Sequence, residues 1–233
     1  MSIVQRFARN SAGRDFAVGD IHGHFTLLQA ALDAAGFDPA AGDRLFSVGD
    51  LVDRGPESIQ ALEWIARPWF HAVQGNHEDM AIRYPQGRMD TGNYKANGGA
   101  WNVDSTFGER VRVSNALATL PVAIEVETAR GIVGIVHADC PTPTWAELTA
   151  SLEGRVEQTR GRQQHVIDSA QWSRARIDRR ETHGVPDVFA VVVGHTPLKD
   201  AVLLGNVHFI DTGGWLSGGH FTVVDLATLR GMP

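Results

Sequence analysis

Leu45-Phe46-Ser47-Val48-Gly49-Asp50-Leu51-Val52-Asp53-Arg54-Gly55 is the stretch from which the fold can be read. Its mostly apolar first four residues make a short buried strand. A glycine follows, and polar chemistry starts where the strand stops. The same order occurs upstream, where Asp15-Phe16-Ala17-Val18 runs into Gly19-Asp20-Ile21-His22. Downstream, Trp69 to Val73 is a third strand, shortly before Gly75-Asn76-His77-Glu78. Between these strands lie two helical patterns. His24 to Ala35 carries Phe25, Leu28, Ala31, Leu32 and Ala35 at helical spacing and is stopped by Gly36. Pro56 to Ile65 places Ile59, Leu62 and Ile65 on one face, with Pro56 in the first turn. A βαβαβ series of this kind predicts a parallel sheet with right-handed crossovers.

Further along the chain the pattern loosens. Tyr84 to Asp104 is polar and glycine-rich and reads as loop with little regular structure, a loop or cap near the site. Ser114 to Leu120 reads as a short helix stopped before Pro121, and Trp145 to Leu152 as another. Val122 to Glu127 and Ile132 to Val136 read as strands joined by the turn Ala129-Arg130-Gly131. The last third reads as strands at Val188 to Val193, Ala201 to Leu204, Val207 to Ile210 and Phe221 to Asp225, with a hairpin turn at Leu204-Gly205-Asn206. Helices early and strands late predict an α/β fold: a central two-sheet β-sandwich flanked by helices, in one domain over residues 1–233.

Two more segments join the polar set: Val136-His137-Ala138-Asp139 and Gly194-His195-Thr196. Ligands in open α/β sheets gather beyond the carboxyl ends of strands, and every one of these motifs follows a strand. The expectation is that five strands deliver Asp20, His22, Asp50, Asn76, His137 and His195 to one sheet edge. Two carboxylates, three imidazoles and an amide oxygen, without a thiolate, suit a pair of hard or borderline divalent cations: manganese, iron or zinc. Asp50, with partners on both sides in sequence order, is the best bridge between them. Such a pair would lower the pKa of a shared water and attract a phosphate dianion. Each segment alone has a plainer reading; Gly-Asn-His, for instance, could be a turn in which Asn tolerates positive φ. Their joint occurrence after strands is what points to metal.

Bulk composition narrows the setting. Apolar residues at 43% and charged residues at 21% are ordinary for a globular domain. No apolar run reaches membrane-span length, and no hydrophobic stretch follows the two arginines before Asn10, so neither a membrane partner nor a secretory signal is expected. A formal net charge of −6 argues against nucleic acid as partner. Cys140 is the only cysteine, which rules out an intrachain disulfide and fits a reducing cytoplasm.

The ordered set Asp20/His22, Asp50, Asn76, His137 and His195 resembles the signature of the calcineurin-like metallophosphoesterases. Gly49 to Gly55 and Gly75 to Glu78 resemble more narrowly the phosphoprotein phosphatase family. The bacterial and bacteriophage-lambda branch is matched by Val136 to Pro141, Trp172-Ser173-Arg174 and Ile210-Asp211-Thr212-Gly213. The resemblance runs from about Asp15 to Asp225. It implies manganese-supported hydrolysis of phosphoserine or phosphothreonine, with phosphotyrosine as a further substrate, by direct attack of metal-bound hydroxide. By the same carry-over, Asp20 and His22 hold the first metal, Asp50 bridges, and Asn76, His137 and His195 hold the second. His77 matches a general acid and Asp53 the carboxylate that orients it. Arg54 and Arg174 match phosphate-gripping arginines, with Arg176 a competitor for the second place.

Other residues carry open readings. A hydrogen bond that steadies a neighbouring ligand, or a turn role, suits His24 and Asp139 equally, and Asp211 is a candidate supporter from its strand end. Trp101 is a candidate wall of the cleft. The basic residues of Arg155 to Arg180 are interleaved with Glu157, Asp168 and Asp178, which fits a solvated face better than a substrate funnel. Two alternative functions stand beside the phosphatase: a symmetrical diadenosine-tetraphosphate hydrolase, and a catalytically silent scaffold that binds phosphoproteins. A silent scaffold would be expected to have lost a ligand or the acid, and here none is lost.

Overall fold

The computed structural model describes residues 2–157 and 159–231; Met1, Gln158, Met232 and Pro233 lie outside the described residues. The first strands form as their residues predict. In β2 (Asp15–Val18), Phe16 and Val18 face one side and Ala17 the other, and all three are buried. In β3 (Arg44–Ser47), Leu45 and Phe46 divide in the same way. A strand buried on both faces needs cover on both, so helices lie on one side and a second sheet on the other.

The five-stranded sheet has the order β11-β10-β2-β3-β4, with β4 (Phe70–Ala72), β10 (Val223–Asp225) and β11 (Arg230–Gly231). Strands β2, β3 and β4 run parallel, and β10 runs antiparallel to β2. The six-stranded sheet has the order β1-β5-β6-β7-β9-β8. It contains β1 (Val4–Phe7), β5 (Ala123–Thr128), β6 (Gly131–Ile135), β7 (Ala190–Val193), β8 (Val202–Leu204) and β9 (Val207–Phe209). Strands β6, β7 and β9 run parallel. The β5–β6 and β8–β9 pairs are antiparallel, as the two expected hairpins require.

Three apolar clusters make the layers. Ala17 and Phe46 of one sheet, with Val48 and Val73 just past the ends of its strands, meet Ile124, Val126, Val133, Ile135 and Val192 of the other. Outside the five-stranded sheet pack α1 (Phe25–Ala34), α2 (Ala61–Ile65), α3 (Asn76–Arg83) and α6 (Phe107–Leu117), through residues such as Leu28, Trp64, Met80 and Leu117. Outside the six-stranded sheet pack α7 (Trp145–Leu152) and α8 (Arg160–Trp172), through Trp145, Leu148 and Ala170. The expected two-sheet sandwich flanked by helices is the observed architecture.

Several details differ from expectation. The segment from Tyr84 to Asp104 is not loop: it holds α4 (Thr91–Ala96) and α5 (Ala100–Val103). The Asp90 side chain caps α4 by accepting from Asn93 N, and Tyr94 is fully buried beneath the segment, so a cap and one anchor outweigh the glycines. Helix α6 starts seven residues before the expected Ser114, because Thr106 and Glu109 form a capping box. The helix from Pro56 is shortened to a 3₁₀ turn at Ser58–Gln60 followed by α2. Asn76 and His77 open helix α3, not a turn.

Candidate metal centre

Both sheets end at one place. Asp20 and His22 follow β2, Asp50 follows β3 and Asn76 follows β4, all from the five-stranded sheet. His137 follows β6 and His195 follows β7, from the six-stranded sheet. The expectation of a single sheet edge is therefore corrected: the residues converge across the seam between two sheets whose parallel strands end together.

Backbone conformation is what lets them converge. Among the described residues seven non-glycine residues have positive φ, and five of them are His22, Asp50, Asp53, Arg54 and His195. Strain concentrated in this way is characteristic of functional sites. Two glycines serve close approach. A Cβ on Gly75 would stand 2.1 Å from Asp50 Oδ1, and one on Gly194 would stand 2.2 Å from Asp20 Oδ1. The loops are then tied to one another. His22 N donates to Asp50 O (2.7 Å), Gly194 N to His137 O (2.8 Å), and His195 N to Asp20 Oδ1 (3.0 Å).

The donor atoms point at common centres. Asn76 Oδ1 lies 2.9 Å from His137 Nε2 and 3.0 Å from His195 Nδ1, and those two nitrogens are 3.2 Å apart. Asp50 Oδ2 is 3.4 Å from His137 Nε2 and 3.5 Å from His22 Nε2. Atoms about 2.1 Å from one ion and at right angles stand about 3 Å apart, so these spacings fit the edges of a coordination shell. Among the described residues, His22, Asp50 and His77 form one group that could hold an ion, and Asp50, His137 and His195 another; Asp50 belongs to both. Asp20 Oδ2 is 4.0 Å from His22 Nε2.

Protonation supports the same fit. His22 Nδ1 donates to Val52 O (2.9 Å) and His137 Nδ1 to Val48 O (2.7 Å), which leaves Nε2 of each for the centre. Burial holds the His22 imidazole well below its usual range, and burial with nearby His137 brings His195 to about 3. Burial alone would raise Asp50, but His137, His77 and His22 outweigh it and hold the carboxyl well below the usual carboxylate range. Burial, Asp211 and Asp50 together push Asp20 well up. Three buried carboxylates, Asp20, Asp50 and Asp211, crowd a site that divalent cations would neutralise.

Beside this cluster a small pocket is lined by Asp50, Arg54, Asn76, His77, Asn97, Trp172, Arg174 and His195. The Arg54 guanidinium reaches Nε2 of His22 (3.1 Å) and of His77 (3.2 Å), and lies 4.3 Å over the Trp215 ring. His77 Nδ1 meets Asp53 Oδ2 at 2.8 Å, with both side chains buried. Arg174 faces the pocket. Arg176 does not: its Nε donates to the buried Asp139 at 2.7 Å and its Nη1 to His183 O at 2.6 Å. That pairing also accounts for Asp139. The ring of His24 bonds to the His22 carbonyl (2.7 Å), a turn contact.

Two supporting residues were not legible as such. Glu78, fully buried, accepts from Asp50 N (2.7 Å), Leu51 N (2.8 Å) and Gly75 N (2.8 Å), so one carboxylate holds two ligand loops in register. Burial and the Asp50 charge raise it to about 7. Its place three residues after Gly75 is the third position of a helix start, the signal that could have found it. Trp215 packs edge-on against His22 at 4.6 Å, and no local pattern announces it.

Comparison with known proteins agrees with this geometry. The family model described as calcineurin-like phosphoesterase matches residues 16–218. Serine/threonine-protein phosphatase 1 of Salmonella typhimurium is 35% identical over 225 residues, covering 95% of each chain. A symmetrical bis(5'-nucleosyl)-tetraphosphatase of Thioalkalivibrio sulfidiphilus is 45% identical, but over only 74 residues, 31% of this chain and 27% of that one. Among solved structures, the cold-active protein-tyrosine phosphatase of a Shewanella species superposes with a TM-score of 0.60 at 15% identity, covering 97% of this chain and 78% of that one, a likeness of fold.

Proposed function

From the chain's membership of the calcineurin-like phosphoesterases, we propose that it is a metal-dependent phosphomonoesterase acting on phosphoserine and phosphothreonine in proteins. The observation that carries this reading is Asp50, shared by two groups of imidazoles at the floor of a pocket flanked by Arg54 and Arg174. The phosphatase likeness spans nearly the whole chain. We assign Asp20, His22 and Asp50 to one cation and Asp50, Asn76, His137 and His195 to a second; the mixed oxygen and nitrogen set suits manganese, iron or zinc, and manganese is the metal that the family resemblance favours. When bound, such a pair would supply Lewis acidity to phosphate and to the attacking water.

The chain's own residues do the rest. Arg54 and Arg174 grip phosphate oxygens and turn the ester toward the cluster. Asp53 holds His77 Nδ1–H, which leaves Nε2 at the pocket to carry a proton to the departing serine oxygen. The P–O bond to that oxygen breaks as water oxygen bonds to phosphorus, and the proton that water loses restores the imidazole through solvent. Acid help of this kind contributes roughly 10²–10⁴-fold. The site thus works on a phosphoprotein or small phosphoester, without nucleic acid or a membrane, in a reducing cytoplasm suited to the unpaired Cys140. No helix among the described residues is long and apolar enough to cross a membrane.

A second reading, hydrolysis of symmetrical dinucleoside tetraphosphates, draws on the local similarity to the tetraphosphatase. Turnover of a phosphoserine peptide and of diadenosine tetraphosphate under varied metals separates the two. We expect the peptide to be the better substrate, and loss of at least about a hundredfold in kcat for the peptide in His77→Ala. Near-normal peptide turnover by both His77→Ala and Asp50→Ala would refute the mechanism.

A further inference from the structure

Asp53 has more partners than His77. Its Oδ2 takes His77 Nδ1, and its Oδ1 takes two more donors, Trp101 Nε1 at 2.7 Å and Tyr94 OH at 3.2 Å. Both come from the α4–α5 segment, which no metal ligand belongs to. Tyr94 is itself aimed: Asn102 Nδ2 donates to its hydroxyl at 3.1 Å, so the hydroxyl proton is free to point at Asp53. Asp53, Tyr94 and Asn102 are all fully buried. The Tyr94 ring is fixed from the other side by Gly99, where a Cβ would stand 2.2 Å from the ring. The same segment holds the neighbouring residue of the site, because Gly98 O accepts from Arg54 N at 3.2 Å.

Rotation about its terminal bond is the freedom of a carboxylate that matters here. Two donors on Oδ1 fix the rotation and leave Oδ2 for the imidazole. They also satisfy a buried charge that a single imidazole would leave half-paired. We infer that Trp101 and Tyr94 are positioning residues for leaving-group protonation, holding Asp53 so that it presents His77 to the departing oxygen. The inference rests on the general-acid reading of His77. It gives the α4–α5 segment a task in the reaction in addition to covering the site.

Leaving groups provide the test. A phosphoserine peptide leaves as an alkoxide and needs the proton; 2,4-dinitrophenyl phosphate leaves as a stable phenolate and does not. Trp101→Phe and Tyr94→Phe each delete one donor and keep the ring. With manganese, each variant is expected to lose about tenfold in kcat on the peptide, a fraction of the full acid effect, with less than a twofold change on the dinitrophenyl ester and unchanged KM. Their manganese content, read by elemental analysis, should match the parent, and each should fold with a melting temperature lowered by a few degrees through the lost buried hydrogen bond. The proton on His77 Nδ1, followed by NMR in the manganese-free protein, should exchange faster with water in both variants. Equal losses on the two substrates, or no loss on either, would overturn the inference, as would an unchanged exchange rate of that proton. If one variant does not fold, the other decides. His77→Ala serves as the reference. If it too shows no leaving-group dependence, the general-acid reading itself fails. If it does and the two ring variants do not, only the positioning role is lost.

Discussion

Arg174 and Arg176 are two residues apart, yet the structure gives them different work. Arg174 lines the pocket, whereas Arg176 is buried against Asp139. Removing one partner of a buried pair leaves an uncompensated charge, which typically costs about 3–5 kcal/mol. Arg176→Ala should therefore lower stability by about that amount in a denaturant titration, while the remaining folded protein keeps its KM. Arg174→Ala should raise KM for a phosphopeptide about tenfold or more through loss of charge-assisted hydrogen bonds, with the unfolding midpoint unmoved. The opposite pairing of effects would reverse the assignment. Sequence alone left this choice open, because Arg174-Ala175-Arg176 offers both side chains and only the direction of helix α9 (Ala175–Arg179) separates them.

At the scale of single elements, β4 carries a built-in acid sensitivity. His71 sits in this strand with its ring 4.3 Å from that of Phe7 and 5.2 Å from that of Phe46. Burial, then the Arg44 charge, brings its imidazole down to about 4. The folded state thus binds fewer protons than the unfolded chain between the ordinary histidine value of about 6.5 and 4. Its contribution to stability is complete above the unfolded value and is lost as pH falls through that window. Urea titrations at pH 7 and pH 4.5 should show a drop that His71→Phe reduces; an identical drop in the variant would place the sensitivity elsewhere. Legibility also divides by element. Strands β2, β3 and β7 could be read because both faces are apolar. Strand β1 was missed because only Val4 is buried, and its parallel pairing is with β5, more than a hundred residues away. Helices α4 and α5 are masked in the sequence by the glycines around them, while the Asp90 cap and the buried Tyr94 that hold them show only in the fold.

Across the whole molecule, the site is the seam of the sandwich. Four of the six expected ligands come from one sheet and two from the other, so bound cations would tie the two layers together. That these six side chains would converge was legible because each follows a strand, and strand ends are where a sheet exposes chemistry. What could not be read was the shell around them: Glu78 beneath two loops, Trp215 beside His22, and Tyr94 and Trp101 on Asp53. Their positions depend on chain crossings that no short spacing records. Cations at a hundred times their Kd would add about 2.7 kcal/mol to stability, so chelation should lower the melting temperature, and a lasting Asp50→Asn substitution should remove most of that response. The most direct test is anomalous diffraction from crystals grown in saturating manganese. Two peaks about 3.5–4 Å apart, with Asp50 contacting both and His195 contacting one, are the predicted result. A single peak, or none within reach of Asp50, would contradict the shared-carboxylate centre from which the proposed chemistry follows.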